Sequence, residues 1–151
     1  MDPVSIAMAL GDVLGPTVGV AVRPIAEPQA LWPQEEPAMA RARPPRVAEV
    51  STGRSCARSA MAELGLPAAP IPMGADRAPI WPPRIVGSIS HGGGLCVSIV
   101  AQEGQFAGLG VDVEPDDAMP ENVAQFVTTD GDVPVEPENQ RVIFSIKEAV
   151  Y

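Results

Sequence analysis

Apolar and polar positions alternate with period two in three runs: 85–90 (IVGSIS), 95–101 (LCVSIVA) and 106–113 (FAGLGVDV). A period of two sends successive side chains to opposite faces, so each run predicts a β-strand. HGGG and QEGQ join the runs and are short enough for antiparallel hairpins. In the last run Leu109, Val111 and Val113 share one side, and Gly108, Gly110, Asp112 and Glu114 share the other. That second side is bare backbone ending in two carboxylates. A helical period occupies STGRSCARSAMAELGLP, with Ser51 or Thr52 as cap, Gly65 just past the end and Pro67 beyond. Ala57, Met61 and Leu64 fall on one face of this helix, and Arg54 and Arg58, four apart, share another. A second helix is expected from Asn139 or Gln140 to the end, carrying Lys147 and Glu148.

The remaining stretches have weaker patterns. Residues 1–30 are apolar but interrupted by Gly11, Gly15, Pro16 and Gly19, which leaves room for a strand over Thr17–Val22. Prolines 28, 33, 37, 44 and 45 permit one short helix near Pro37–Arg43. Residues 70–85 read as a proline-rich loop and 115–140 as an acidic one. Strands joined by hairpins, with helices before and after, predict an α/β chain of the α+β kind, an antiparallel sheet with packed helices. The organisation expected is an N-terminal segment 1–30, a main unit 31–138 and the start of a further helix at 139–151.

Charge sharpens this picture through its distribution. The net charge of −9 argues against a general nucleic-acid surface. Yet Arg41 to Arg84 holds seven bases and three acids, while Glu103 to Glu138 holds ten acids and no base. One segment suits an anion; the other suits a cation or solvent. Cys56 and Cys96 with His91 offer too few ligands for a structural zinc site. They read as reduced thiols of a cytoplasmic protein. No apolar run is long enough for a membrane span, and the N-terminus lacks the positive start of a secretory signal.

Several groups carry candidate chemistry. Asp112 and Glu114, at i and i+2 on a strand, point the same way and repel, which a divalent cation would relieve. Oxygen-only ligands suit Mg²⁺ or Mn²⁺. The same pair also serves as a solvated strand end, and Lys147–Glu148 as an ordinary surface pair. GSISH places Ser88, Ser90 and His91 at a strand end before three glycines, where a large ligand has access to backbone. A serine nucleophile with His91 as base is conceivable, although sequence neighbours seldom reach triad geometry. RAPIWPPR sets Arg77 and Arg84 around Trp81, either as loop packing or as a wall that grips a phosphate. Arg54 and Arg58 form either a solvated pair or a two-pronged anion grip.

The order of four motifs joins these groups. GRSCAR…LG, then P-I-WPP…GSISH, then GLGVDVEP, then FSIKEAVY resembles the 4′-phosphopantetheinyl transferases, in the branch that includes the enterobactin-synthase type. The resemblance covers residues 31–151. It implies transfer of the 4′-phosphopantetheine group of coenzyme A to a serine of an acyl or peptidyl carrier protein, Mg²⁺-dependent, with release of 3′,5′-ADP. It implies a pseudo-twofold α/β fold of which this chain is the first half. Carried over, Asp112, Glu114 and Glu148 look like metal carboxylates, with Glu148 also a base or a ligand. Arg54, Arg58, Arg77, Ser90, His91 and Asp112 look like coenzyme A contacts. The partners implied are the apo carrier protein and coenzyme A, in a siderophore, polyketide, fatty-acid or antibiotic pathway. The chain departs from the branch in Val50 where Phe is usual, in the glycine run after His91, and in the absence of a Lys after Tyr151 and of a second half. The expectation is therefore a truncated chain with little activity alone. A non-catalytic module binding coenzyme A and Mg²⁺, and an acidic α+β domain with coincidental motifs, are the other two readings.

Overall fold

The computed structural model describes residues 2–117, 123, 132 and 140–150. Helix α1 spans Pro3–Leu14, strand β1 Gly19–Pro24, helix α2 Pro44–Glu63, strand β2 Ile85–Gly92, strand β3 Leu95–Gln102 and helix α3 Gln140–Val150. The sheet is antiparallel in the order β1-β3-β2. This is the α+β architecture expected, compatible with half of the transferase fold. The acidic stretch 118–139 lies almost wholly outside the described residues.

Two helices depart from the sequence expectation. Helix α1 forms where the glycines suggested breaks. Asp2 caps it, accepting from the amides of Val4 and Ser5 at 3.0 and 3.1 Å and from the Ser5 hydroxyl at 2.6 Å. These bonds to the charged form hold the Asp2 carboxyl below its ordinary value, the Ser5 hydroxyl contributing most. Gly11 sits inside the helix with open space around it, and Gly15, at φ +80°, ends it.

Helix α2 starts at Pro44, a full two turns before Ser51. Pro44 and Pro45 occupy its first turn, where the missing N–H groups have no intrahelical partner to lose. Ser51 is therefore inside the helix, its hydroxyl donating to the Ala48 carbonyl and accepting from the Gln29 amide. The C-terminus is as expected: Gly65 at φ +67° follows, and the Gly65 and Leu66 amides close the end onto Ala62 and Met61. The short helix expected near Pro37–Arg43 is a single 3₁₀ turn, Glu36–Met39.

Strand β3 is central and buried from Cys96 to Ala101. Its alternation divides the core. Cys96 and Val100 join Ala21, Cys56, Ala57, Ala60, Met61 and Ile71 against α2. Ile99 and Ala101 join Val18 on the opposite face, where Leu14, Phe106, Leu109 and Val111 cover them. Gly19 is required in β1, because a Cβ there would collide with the Ala60 carbonyl of α2. Cys56 and Cys96 are both free and fully buried. The Cys56 thiol donates to the Ala21 carbonyl at 3.1 Å. Its pKa is pushed up by hydrogen bonding to Cys96 and by burial. Gly93 and Gly94, at φ +57° and +77°, make the two-residue turn between β2 and β3.

Candidate functional site

The third β-patterned run is the first surprise. Residues 106–113 form no strand beside β2. Ser88 and Ser90 take the place of a backbone ladder. The Val111 amide donates to the Ser88 hydroxyl oxygen and the Val113 amide to that of Ser90, each at 3.2 Å. The segment is thus held one side chain away from β2, too far for a sheet ladder. Leu109 and Val111 reach the core, but the expected placing of Asp112 and Glu114 on one side does not hold, since Asp112 lines one cleft and Glu114 lines another together with Val113.

Ser90 does a second task. Its hydroxyl donates to Asp112 Oδ1 at 2.8 Å. The other carboxylate oxygen, Oδ2, is buried with no hydrogen-bond partner among the described residues. Asp112 lines a cleft of about 580 Å³ together with Glu148, Arg77, Asp76, Trp81 and Ser90. Glu148 arrives from α3 and is exposed. The helix can come this close because position 110 is glycine: a Cβ there would collide with the Ala149 carbonyl. Asp112 and Glu148, 36 positions apart in sequence, therefore share one cleft.

Glu114 does not line that cleft. It lies beside a second, more apolar one, and its Oε2 accepts from Arg141 Nη1 of α3 at 2.9 Å. Arg141 Nε also donates to the Asp117 carbonyl at 2.7 Å. No three His, Cys, Asp or Glu side chains are grouped to hold a metal ion among the described residues. The donor set still suits a hard cation in part. Asp112 presents a desolvated, unpartnered carboxylate oxygen, and Glu148 adds a second carboxylate across the same cleft.

A basic cleft adjoins this one. About 780 Å³ in volume, it is lined by Arg41, Arg43, Arg46 and Arg77, with no carboxylate in its wall among the described residues. Arg77 lines both clefts. It sits in a tight turn whose Gly74 amide donates to Ala78 and whose own amide donates to Gly74. Arg77 has φ +71°. Holding a non-glycine residue in that region costs on the order of 1–2 kcal/mol, and such strain concentrates at functional positions.

Arg46 is a residue the sequence reading did not single out. Its Nη1 lies 3.0 Å from His91 Nε2 and 3.0 Å from Glu49 Oε2. A guanidinium only donates, so His91 accepts at Nε2 in this arrangement. With α2 begun at Pro44, Arg46 lies on the same helix as Arg54 and Arg58, two turns before Arg54. The Pro44-Pro45 pair, read as a break, hid that register.

Arg54 and Arg58 are engaged by the fold. Arg54 is 5% exposed, and its Nε donates to the Ile71 carbonyl at 2.7 Å. Burial holds its pKa below the usual guanidinium value, with Glu35 acting in the opposite sense. Arg58 donates to buried Glu35 at 2.6 Å and stacks over Trp32 at 4.9 Å. Glu35 also accepts from the amides of Trp32 and Ile71. These bonds tie the 32–35 turn and the loop at Ile71 to α2, and so brace the walls of the basic cleft. Arg84 has φ +66° and lies outside both clefts.

Known proteins resemble this sequence. Residues 34–101 match the family model for the 4′-phosphopantetheinyl transferase N-terminal domain. The 4′-phosphopantetheinyl transferase Svp of Streptomyces mobaraensis is 37% identical over 134 residues, 80% of this chain and 53% of Svp. PptT of Mycobacterium tuberculosis (strain ATCC 25618 / H37Rv) is 34% identical over 126 residues, 79% of this chain and 56% of PptT. Npt of Nocardia iowensis is 36% identical over 129 residues, covering 79% of this chain and 56% of Npt. Both carry the same transferase description. The chain spans about half the length of these curated relatives.

Proposed function

Since this chain is related to the 4′-phosphopantetheinyl transferases and matches their N-terminal domain, we propose that it binds coenzyme A with Mg²⁺ for phosphopantetheine transfer. The acceptor is a serine of an acyl or peptidyl carrier protein, and the by-product is 3′,5′-ADP. The observation that carries this reading is Arg77, which lines both the cleft walled by Arg41, Arg43 and Arg46 and the cleft holding Asp76, Asp112 and Glu148. Coenzyme A has a 3′-phosphate at one end of its nucleotide and a diphosphate at the other. Two adjacent clefts of opposite character match that molecule.

The roles follow from placement. Arg41, Arg43 and Arg46 meet the 3′-phosphate, with His91 at the side, through charge-assisted hydrogen bonds. Arg77 reaches the diphosphate from the shared wall. Trp81, seated over Gly87, gives the nucleotide an apolar surface in the carboxylate cleft. Arg54 and Arg58 support the site through the loops they brace. Asp112 and Glu148 would hold the Mg²⁺, and Glu114 would join them as a third carboxylate only on leaving Arg141. A bound Mg²⁺ supplies charge stabilisation at the phosphoryl oxygens.

The transfer forms a bond from the serine oxygen to the β-phosphorus. It breaks the bond from that phosphorus to the bridging oxygen, which leaves with 3′,5′-ADP. Most of the catalysis is positioning and charge stabilisation. Ser90 fixes Asp112 by hydrogen bonding one oxygen, leaving the other aimed. Glu148, exposed at the cleft edge, is placed to take the serine proton from an incoming carrier. Among the described residues no helix is long and apolar enough to cross a membrane, and we place the reaction in the cytoplasm.

Calorimetry with coenzyme A and with 3′-dephospho-coenzyme A tests the division of labour. Arg46→Ala is expected to weaken coenzyme A at least tenfold and barely change the dephospho form. Arg77→Ala is expected to weaken both. Equal losses for the two ligands in Arg46→Ala would overturn the assignment of the 3′-phosphate to the basic cleft.

A further inference from the structure

We propose that Arg141 is an internal counter-ion for Glu114, which a divalent cation displaces when it binds; this rests on the metal reading of Asp112 and Glu148 above. Three observations carry it. First, Arg141 Nη1 donates to Glu114 Oε2 at 2.9 Å, with the two side chains 21% and 25% exposed. Glu114 is thereby neutralised without a metal. Second, the guanidinium is anchored apart from Glu114, through Nε to the Asp117 carbonyl at 2.7 Å. When the ion pair opens, Arg141 is held by a backbone group and the carboxylate is the part that swings.

Third, the helix sets the distances. Arg141 and Glu148 are two turns apart on one face of α3, about 10 Å along the axis at 1.5 Å per residue. A carboxylate on Arg141 therefore lies too far from Glu148 to share a cation whose ligands stand about 2.1 Å away. Two positions earlier, Asp112 lies in the cleft with Glu148, its Oδ2 unpartnered. Glu114 thus has two alternative partners: Arg141 at one end of α3, or a cation beside Asp112 nearer the other. The pair with Arg141 spares the protein a third uncompensated carboxylate, and cation affinity is set by a competition inside the protein.

The charged neighbours of this exchange are few among the described residues. Asp116 and Asp117 flank Glu114 in sequence, and Lys147 of α3 is paired with Asp132 at 2.6 Å. Arg141 is the cation that contacts Glu114. This role is one of positioning: Arg141 acts through Glu114 and touches no reacting atom.

The test is Mn²⁺ binding to the 151-residue chain, read by electron paramagnetic resonance of free Mn²⁺. Arg141→Gln is expected to bind Mn²⁺ about three- to tenfold more tightly, since a partly exposed ion pair and one repelling charge are removed together. Unchanged or weaker binding with helicity retained overturns the proposal. Glu114→Gln, which leaves α3 its own residues, is expected to weaken Mn²⁺ several-fold and to abolish the gain from Arg141→Gln. Full Mn²⁺ affinity in Glu114→Gln also overturns it. Asp112→Asn separates the two readings. If that variant retains Mn²⁺ binding, the metal site itself is misassigned. If it loses binding while Arg141→Gln gains none, only the counter-ion role fails.

Discussion

The Ser90 hydroxyl donates to one oxygen of Asp112 at 2.8 Å and leaves the other buried without a partner among the described residues. A desolvated carboxylate oxygen is costly unless something meets it. The same hydroxyl receives the Val113 amide at 3.2 Å, so one side chain sets both the backbone and the carboxylate. Ser90→Ala is expected to keep the fold and to lose part of this aim. Mn²⁺ affinity should fall about three- to tenfold, the effect of one ordinary hydrogen bond. Electron paramagnetic resonance of free Mn²⁺ measures it, and unchanged affinity would show that Ser90 does not orient Asp112.

Gly110 fixes the approach of α3. A Cβ at this position collides with the Ala149 carbonyl, next to Glu148. Gly110→Ala is expected to push the helix away and to cost about 1–3 kcal/mol of stability, as other overpacking does. Chemical denaturation reads the stability, and Mn²⁺ binding should weaken more than it does in a Gly108→Ala control, since a Cβ at Gly108 meets open space. Equal behaviour of the two variants would contradict the close approach.

Glu35 is 2% exposed and collects Arg58 and two backbone amides. Glu35→Ala strands the Arg58 guanidinium and both amides, a change expected to cost about 3–5 kcal/mol. Urea unfolding gives the number. A loss below about 1 kcal/mol would place Arg58 and Glu35 among ordinary surface pairs.

The Asp2 cap has a pH signature. Its carboxyl is held below the ordinary 3.8, chiefly by the Ser5 hydroxyl. A depressed native pKa means the cap contributes fully above 3.8 and is lost as pH falls through the lower native value. The Val4 and Ser5 amide resonances should titrate with a midpoint under 3.8 and stop titrating in Asp2→Ala. A midpoint at or above 3.8 would contradict the cap.

How much of this was legible in the sequence varies by element. The helix end at Gly65, the β2–β3 hairpin and the start of α3 followed from local chemistry: a left-handed glycine, a glycine turn and an apolar period. Helix α1 was missed because Gly11 was read as a break, although its side of the helix faces open space. The early start of α2 was missed because Pro44 and Pro45 are breakers everywhere except the first turn. For residues 106–113 the alternation correctly turned Leu109 and Val111 to the core, while the strand itself did not form and Asp112 and Glu114 parted into different clefts. Two serine hydroxyls stand between that segment and β2, and no periodicity reports that. The pairs Arg46–His91 and Arg141–Glu114 join residues 45 and 27 positions apart. Spacing within one element carries no signal for such contacts.

The central claim, that coenzyme A and a divalent cation meet at Asp112, has a direct test in titration of coenzyme A into this chain. Calorimetry in Mg²⁺, in chelator, and in Mg²⁺ with Asp112→Asn compares the three states. The account expects binding in Mg²⁺ that weakens at least tenfold in the other two. Coenzyme A binding that is equal in all three, or undetectable in the first, would contradict it.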